Sequence, residues 1–120
     1  MFRTSAQKRA NCTNCPVARV ADLVGDSWSI LIIRDLLEGK RRFGDLESSL
    51  VGVSTRTLTK KLKSLEDCGM ISRTEFAEKP PRVEYELTKT GHAFQKVVEA
   101  MREFGEDHLA MPARKKAVRV

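Results

Sequence analysis

The chain has no long apolar run. Its most apolar stretch, Ile30-Leu31-Ile32-Ile33, stops at Arg34 and Asp35, far short of the roughly 20 residues that cross a bilayer, so no membrane segment is expected. Residues 1–11 are polar and basic and carry no secretory leader pattern, which makes the cytoplasm the expected compartment. Cysteine is scarce and odd in number: Cys12, Cys15 and Cys68 cannot all pair internally, so no disulfide framework is expected. A zinc site needs four ligands, and Cys12-x-x-Cys15 is accompanied only by the isolated His92 and His108, so no structural metal and no cofactor are expected. The sequence also lacks a phosphate-binding glycine loop, a nucleophile elbow, and a His beside a plausible nucleophile or acid. Glu47 and Glu66 read as isolated surface carboxylates. These absences exclude the common enzyme classes, and there is neither an internal repeat nor a low-complexity segment.

What is present is positive charge, unevenly spread. Twenty-two Lys plus Arg against 16 Asp plus Glu give a net charge of +6 over 120 residues, which favours an anionic partner. Residues 48–65 contain no acid, yet Arg56, Lys60, Lys61 and Lys63 fall there. The acids gather instead at residues 99–107. Such segregation predicts one basic face and one mixed face. The length suits one domain with its own core, expected over residues 15–111, with an arm at 1–14 and a basic tail at 112–120.

Apolar periodicity organises the chain. Pro16 suits a first helical turn, with Val17, Val20, Ala21 and Val24 on one face until Gly25. Asp26 or Ser27 can cap a second helix over 28–38, apolar on several sides and therefore central, closed by Gly39. Phe43, Leu46 and Leu50 stand at i, i+3 and i+7 and describe a short helix before the turn Val51-Gly52-Val53. Ser54 caps a further helix to residue 67. Its leucines, Leu58, Leu62 and Leu65, lie opposite Arg56, Lys60 and Lys63, with Thr59 at the border. After Gly69, residues 70–76 and 83–87 read as strands, the latter by strict alternation. Pro80 and Pro81 belong to the connection, because proline cannot donate to a ladder. A last long helix is expected from a Thr88 cap to about residue 111, with Phe94, Val97, Val98, Met101, Phe104 and His108 at spacings of three and four. Trp28, Phe43, Phe94 and Phe104 read as core rather than as the lining of a ligand pocket, and Cys68 as buried filler.

Two short helices about a glycine turn, the second basic on its outer face, followed by a hairpin with a basic tip, form the layout of a winged helix-turn-helix. The expected class is α+β, mainly helical, with a two-stranded wing and terminal helices forming a dimer interface. A helix fits the major groove of B-DNA when its inner face is held by a core and its outer face is free. Ser54, Thr55, Arg56 and Thr57 occupy the entering turn, and Thr59, Lys60 and Lys63 lie farther along. Arg56 is expected to read bases, with Lys60, Lys63 and Arg82 on phosphate or the minor groove and Lys79 and Arg42 beside them.

These residues also carry a family resemblance. Cys15-Pro16-Val17, Gly25 with Trp28, Arg34-Asp35-Leu36-Leu37, Arg41-Arg42-Phe43, Ser54-Thr55-Arg56-Thr57-Leu58, Leu62 to Glu66 with Gly69, Pro80-Pro81-Arg82-Val83-Glu84-Tyr85 and Leu87-Thr88 resemble, in order, the HxlR-type regulators, relatives of the MarR-like winged-helix proteins. The resemblance implies a homodimer joined through its terminal helices, here Phe94, Val97, Val98, Met101, Phe104 and His108. It further implies binding to near-palindromic double-stranded DNA, and transcriptional regulation. It also suggests an oxidant or small-molecule effector, with redox or electrophile sensing at Cys15. A cysteine at a helix start meets the positive end of the helix dipole, whereas a packed thiol is the plain structural reading. Cys12 departs from the family pattern and could join Cys15 as a redox pair. The competing function is a winged-helix protein-interaction module whose basic face meets an acidic partner without specific DNA binding.

Overall fold

A computed structural model describes residues 15–109. The expected arm, including Cys12, and the expected tail lie outside the described residues. The helices are α1 (Pro16–Val24), α2 (Ser27–Leu36), α3 (Phe43–Ser49), α4 (Thr55–Asp67), α5 (Lys89–Ala93) and α6 (Gln95–His108), and the strands are β1 (Arg41–Arg42), β2 (Ile71–Phe76) and β3 (Arg82–Leu87). Among the described residues no helix is long and apolar enough to cross a membrane.

Helix α2 is the hub, touching α1, α3, α4, α6 and β3. Asp26 starts it, accepting the Trp28 and Ser29 backbone N–H groups at 2.9 and 2.8 Å, which satisfies donors that a helix start leaves open. Ile32, Ile33 and Leu36 then sink into the core together with Leu46, Leu58, Leu62, Leu65 and Ile71. Full burial of such a side chain contributes about 1.5–3 kcal/mol, so the three leucines of α4 fix its inner face firmly. The α3–α4 connection turns at Gly52, whose φ of +94° suits glycine and strains any residue with a Cβ.

The sheet is antiparallel in the order β1-β3-β2. Strands β2 and β3 pair from Ile71 opposite Leu87 to Phe76 opposite Arg82, and this hairpin is the wing. The basic cluster Lys40-Arg41-Arg42 has no apolar or alternating pattern. The structure instead pairs Arg41 with Tyr85 and Arg42 with Glu84, adding a short third strand. The Thr88 side chain accepts the Gly91 N–H at 3.1 Å and donates to the Gly69 carbonyl at 2.6 Å. It thereby ties the base of the wing to the end of α4.

The expected long last helix is divided. Phe94, 7% exposed, closes α5 with a tight N–H bond to the Gly91 carbonyl at 3.0 Å, and α6 begins beyond it and ends at His108. Gly91 sits against the Met70 carbonyl so closely that a Cβ there would lie 2.2 Å from that oxygen. Small size, not backbone freedom, is what this position requires.

Candidate nucleic-acid interface

Ser54 precedes α4, and its Oγ accepts the Thr57 N–H at 3.0 Å, the bond expected of a serine cap. With Leu58, Leu62 and Leu65 at most 1% exposed, the rest of the helix is fixed in rotation. Arg56, Lys60 and Lys63 are all exposed on its outer side. Lys63 pairs with Asp67 at 3.2 Å, both side chains being more than 60% exposed. A pair so open to water is weak and readily exchanged.

Lys61 belongs to another environment. Its Nζ lies 3.3 Å from Asp26 Oδ2, on half-buried side chains, so this cation braces α4 against the start of α2. Partial burial works to raise the Asp26 pKa, but the Ser29 backbone and hydroxyl hydrogen bonds and the Lys61 charge outweigh it, and the carboxyl is held below its usual value. At the other end of α2, the buried Asp35 accepts the Ser49 hydroxyl of α3 at 2.7 Å and the Arg34 guanidinium at 2.9 and 3.1 Å. The two helices of the helix-turn-helix are therefore each hooked to α2 by a carboxylate. Sequence reading identified Asp26 as a cap only, since nothing local links it to Lys61.

Two hydroxyls on α4 have internal partners. Thr55 Oγ1 donates to Glu47 Oε2 of α3 at 2.5 Å, and Thr59 Oγ1 donates to the Thr55 carbonyl at 2.8 Å. Glu47, expected to be isolated, is a partner of the entering turn. Thr57 is half-buried at the side of the helix.

The wing differs from expectation in its charge. Arg82 opens β3, stacks its guanidinium 4.1 Å above the Phe76 ring, and lies 3.1 Å from Glu78 and 3.4 Å from Glu84. Only a quarter of its side chain is exposed. Its charge is offset within the wing, which weakens it as a contact to phosphate. Lys79 at the tip and Arg42 at the end of β1 are exposed, and both line a cleft of about 380 Å³ between the wing tip and α3. A second cleft of about 330 Å³ lies between α4 and the sheet, lined by Lys63 and Arg73 over Phe43, Val83 and Tyr85. Donation from the Arg73 guanidinium to the Tyr85 side-chain oxygen favours its charged form and raises its pKa. No local pattern marks Arg73, because its place opposite Tyr85 is set by the strand register.

The six residues expected at a dimer interface divide. Phe94 and Val98 are buried in the chain's own core at 7% and 6% exposure, because the break at Phe94 turns that face of the helix inward. Val97 packs beside them. Met101 and Phe104 are 52% and 58% exposed, and the Phe104 ring lies 4.9 Å from the exposed His108. Phe104 is therefore not core. Val17 and Val20 of α1 are also open. Cys15 is exposed at the N-cap of α1. Cys68 is exposed rather than buried, its Sγ resting 3.4 Å from the Leu65 carbonyl, because it lies past the last inward turn of α4.

The HxlR-like helix-turn-helix model matches residues 23–112. An HTH-type transcriptional regulator of Synechocystis, sll1512, is 48% identical over 95 residues, spanning 79% of this chain and 70% of that protein. Among solved structures, a MarR-family transcriptional regulator from Porphyromonas gingivalis W83 superposes with a TM-score of 0.77 at 28% identity, covering 91% of this chain and 99% of the other. The redox regulator HypR in its oxidized form superposes with a TM-score of 0.75 at 32% identity, covering 81% and 100%. Relatives of this kind are transcriptional regulators and not enzymes. A leucine-anchored helix with an exposed cationic face, a charged hairpin beside it, and these likenesses lead to one conclusion: the chain belongs to the HxlR-like helix-turn-helix family of DNA-binding transcriptional regulators.

Proposed function

We propose that the protein acts in the cytoplasm as a homodimer on near-palindromic operators, one α4 entering each of two successive major grooves about 34–36 Å apart. The observation that carries this reading is the division of α4 into a buried leucine side and an exposed side bearing Arg56, Lys60 and Lys63. Arg56, in the first turn, is the base-reading cation, with Ser54, Thr55, Thr57 and Thr59 around it. Lys60, Lys63, Lys79 and Arg42 meet the backbone. Arg82 serves chiefly to shape the wing. The second copy is met through the open apolar groups of α1 and α6, Val17, Val20, Met101 and Phe104, with His108 and Val97 at the margin and Phe94 and Val98 supporting them from the core.

Selection from a random duplex pool tests the reading. A two-fold symmetric consensus bound by two chains is the expected result, and Arg56→Ala should cost roughly 1–3 kcal/mol and relax base choice. Binding without any sequence preference, or affinity indifferent to salt, would leave only a protein-interaction role.

Redox control through Cys15 is favoured by the exposure of its thiol at the start of α1 and by the likeness to HypR. A hydroperoxide would transfer one oxygen to the Cys15 sulfur, giving the sulfenic acid and releasing water or an alcohol. Loss of DNA-binding response to hydroperoxide in Cys15→Ser is the expected outcome; an unchanged response excludes this cysteine.

A further inference from the structure

We propose that Glu47 sets the hydrogen-bonding polarity of Thr55 and thereby determines which bases α4 accepts at one position of each half-site. The inference rests on the DNA-reading function proposed above and names a specificity residue within it.

A threonine hydroxyl has one proton to give and two lone pairs to offer. In Thr55 that proton is already committed, donated to Glu47 Oε2 at 2.5 Å. Bonds from a hydroxyl to a carboxylate are short and about twice as strong as neutral ones. Water leaving the interface on DNA binding strengthens this one further, because the local dielectric falls. Thr55 therefore faces the groove as an acceptor. Thr59 is constrained in the same sense, its proton given to the Thr55 carbonyl at 2.8 Å. Ser54 differs: its oxygen accepts the Thr57 N–H, which leaves its proton free to donate.

The major groove distinguishes these states. Adenine N6 and cytosine N4 carry amino donors, whereas guanine shows N7 and O6 and thymine O4, all acceptors. An acceptor-only Thr55 bonds adenine or cytosine. Opposite guanine or thymine it sets lone pair against lone pair, and the desolvated acceptor stays unpaired. Glu47 reaches this position from α3, whose end is anchored by Ser49 on Asp35, so the carboxylate is supported from behind. Glu47 is a positioning residue: it acts through Thr55.

The test is selection from a random duplex pool by the full-length protein and three variants, with position-by-position base frequencies and the salt dependence of binding as readouts. Wild type should show one position per half-site enriched in adenine or cytosine, with a preference on the order of tenfold, the size of one net hydrogen bond. Glu47→Ala frees the Thr55 proton, so the preference at that position should fall to near parity while other positions and the salt slope hold. Glu47→Gln still offers an oxygen to Thr55 and should retain most of the preference. Thr55→Val should erase the preference at the same position. A structural role for Glu47 alone would instead weaken all sequences alike, and that result overturns the proposal. So does a Thr55→Val protein that keeps the preference, because Glu47 would then read the base directly. A palindrome without an adenine-or-cytosine position overturns this inference alone; a wild type that enriches no sequence overturns the DNA-reading function and this inference with it.

Discussion

Lys61 Nζ lies 3.3 Å from Asp26 Oδ2, while Lys60, one residue earlier on the same helix, stands exposed. Successive helical residues point about 100° apart, and that rotation separates two cations of the same basic run into different duties. Lys60 is left open to solvent, and Lys61 braces the helix that carries it.

Charge removal should therefore separate the pair. Lys60→Ala is expected to weaken binding to all duplexes and to lower the salt slope by about one. Lys61→Ala should leave the slope unchanged and lower folding stability by up to about 1 kcal/mol. Fluorescence titrations of DNA at several salt concentrations, beside urea unfolding of the free protein, measure both. Equal slopes for wild type and Lys60→Ala would remove Lys60 from the interface.

Asp26 gives stability a defined acid dependence. Its carboxyl is held below the usual aspartate range in the folded protein despite the opposing effect of burial. A depressed folded pKa contributes stability that is fully present above the unfolded value and is lost as pH falls through the folded one. Asp26→Asn keeps a competent helix cap but loses the ion pair. It should be less stable than wild type at pH 7, and the difference should shrink once pH drops below the ordinary aspartate value of about 3.9. A gap that stays constant into strong acid contradicts the assignment.

The open apolar face of α6 predicts a change of assembly. Phe104 is 58% exposed and Met101 52%, so a charge placed there spares the core. Phe104→Glu is expected to yield folded monomers by analytical ultracentrifugation, with binding to a palindromic duplex weakened at least tenfold, because two linked half-sites act at high effective concentration. A dimer of unchanged affinity would place the interface elsewhere.

Gly91→Ala tests the junction between wing and last helices. The added methyl would meet the Met70 carbonyl at 2.2 Å and Leu87 Cδ2 at 2.9 Å, and backbone cannot yield as a flexible side chain can. A loss of roughly 1–3 kcal/mol is expected, read as a lower midpoint in urea.

The helix-turn-helix and its hairpin were legible because each obeys a local rule. Leu58, Leu62 and Leu65 repeat at helical spacing, Ser54 and Thr88 cap, and residues 83–87 alternate. The strand at Arg41–Arg42 was not legible, since two basic residues have no period and pair only because β3 passes beside them. The break at Phe94 escaped for a related reason. Its apolar spacing continues smoothly through 94–104, and the turn is imposed by the close passage of Gly91 against Met70. Of the site, the outward placement of Arg56, Lys60 and Lys63 on α4 was legible from helical geometry; the engagement of Lys61 by Asp26 was not.

Sequence alone determined the inward faces of α2, α4 and the wing, because burial of apolar surface follows the helical and strand periods there, whereas Phe104 and Cys68 continue the pattern and stand exposed. It also determined the sign of the charge presented by α4. Tertiary structure decided what each polar group is free to do. Arg82 lies among Glu78, Glu84 and Phe76, Lys61 on Asp26, and the Thr55 proton on Glu47. Partners 35 residues apart, such as Asp26 and Lys61, meet only when the core brings their helices together, and no local pattern encodes that meeting.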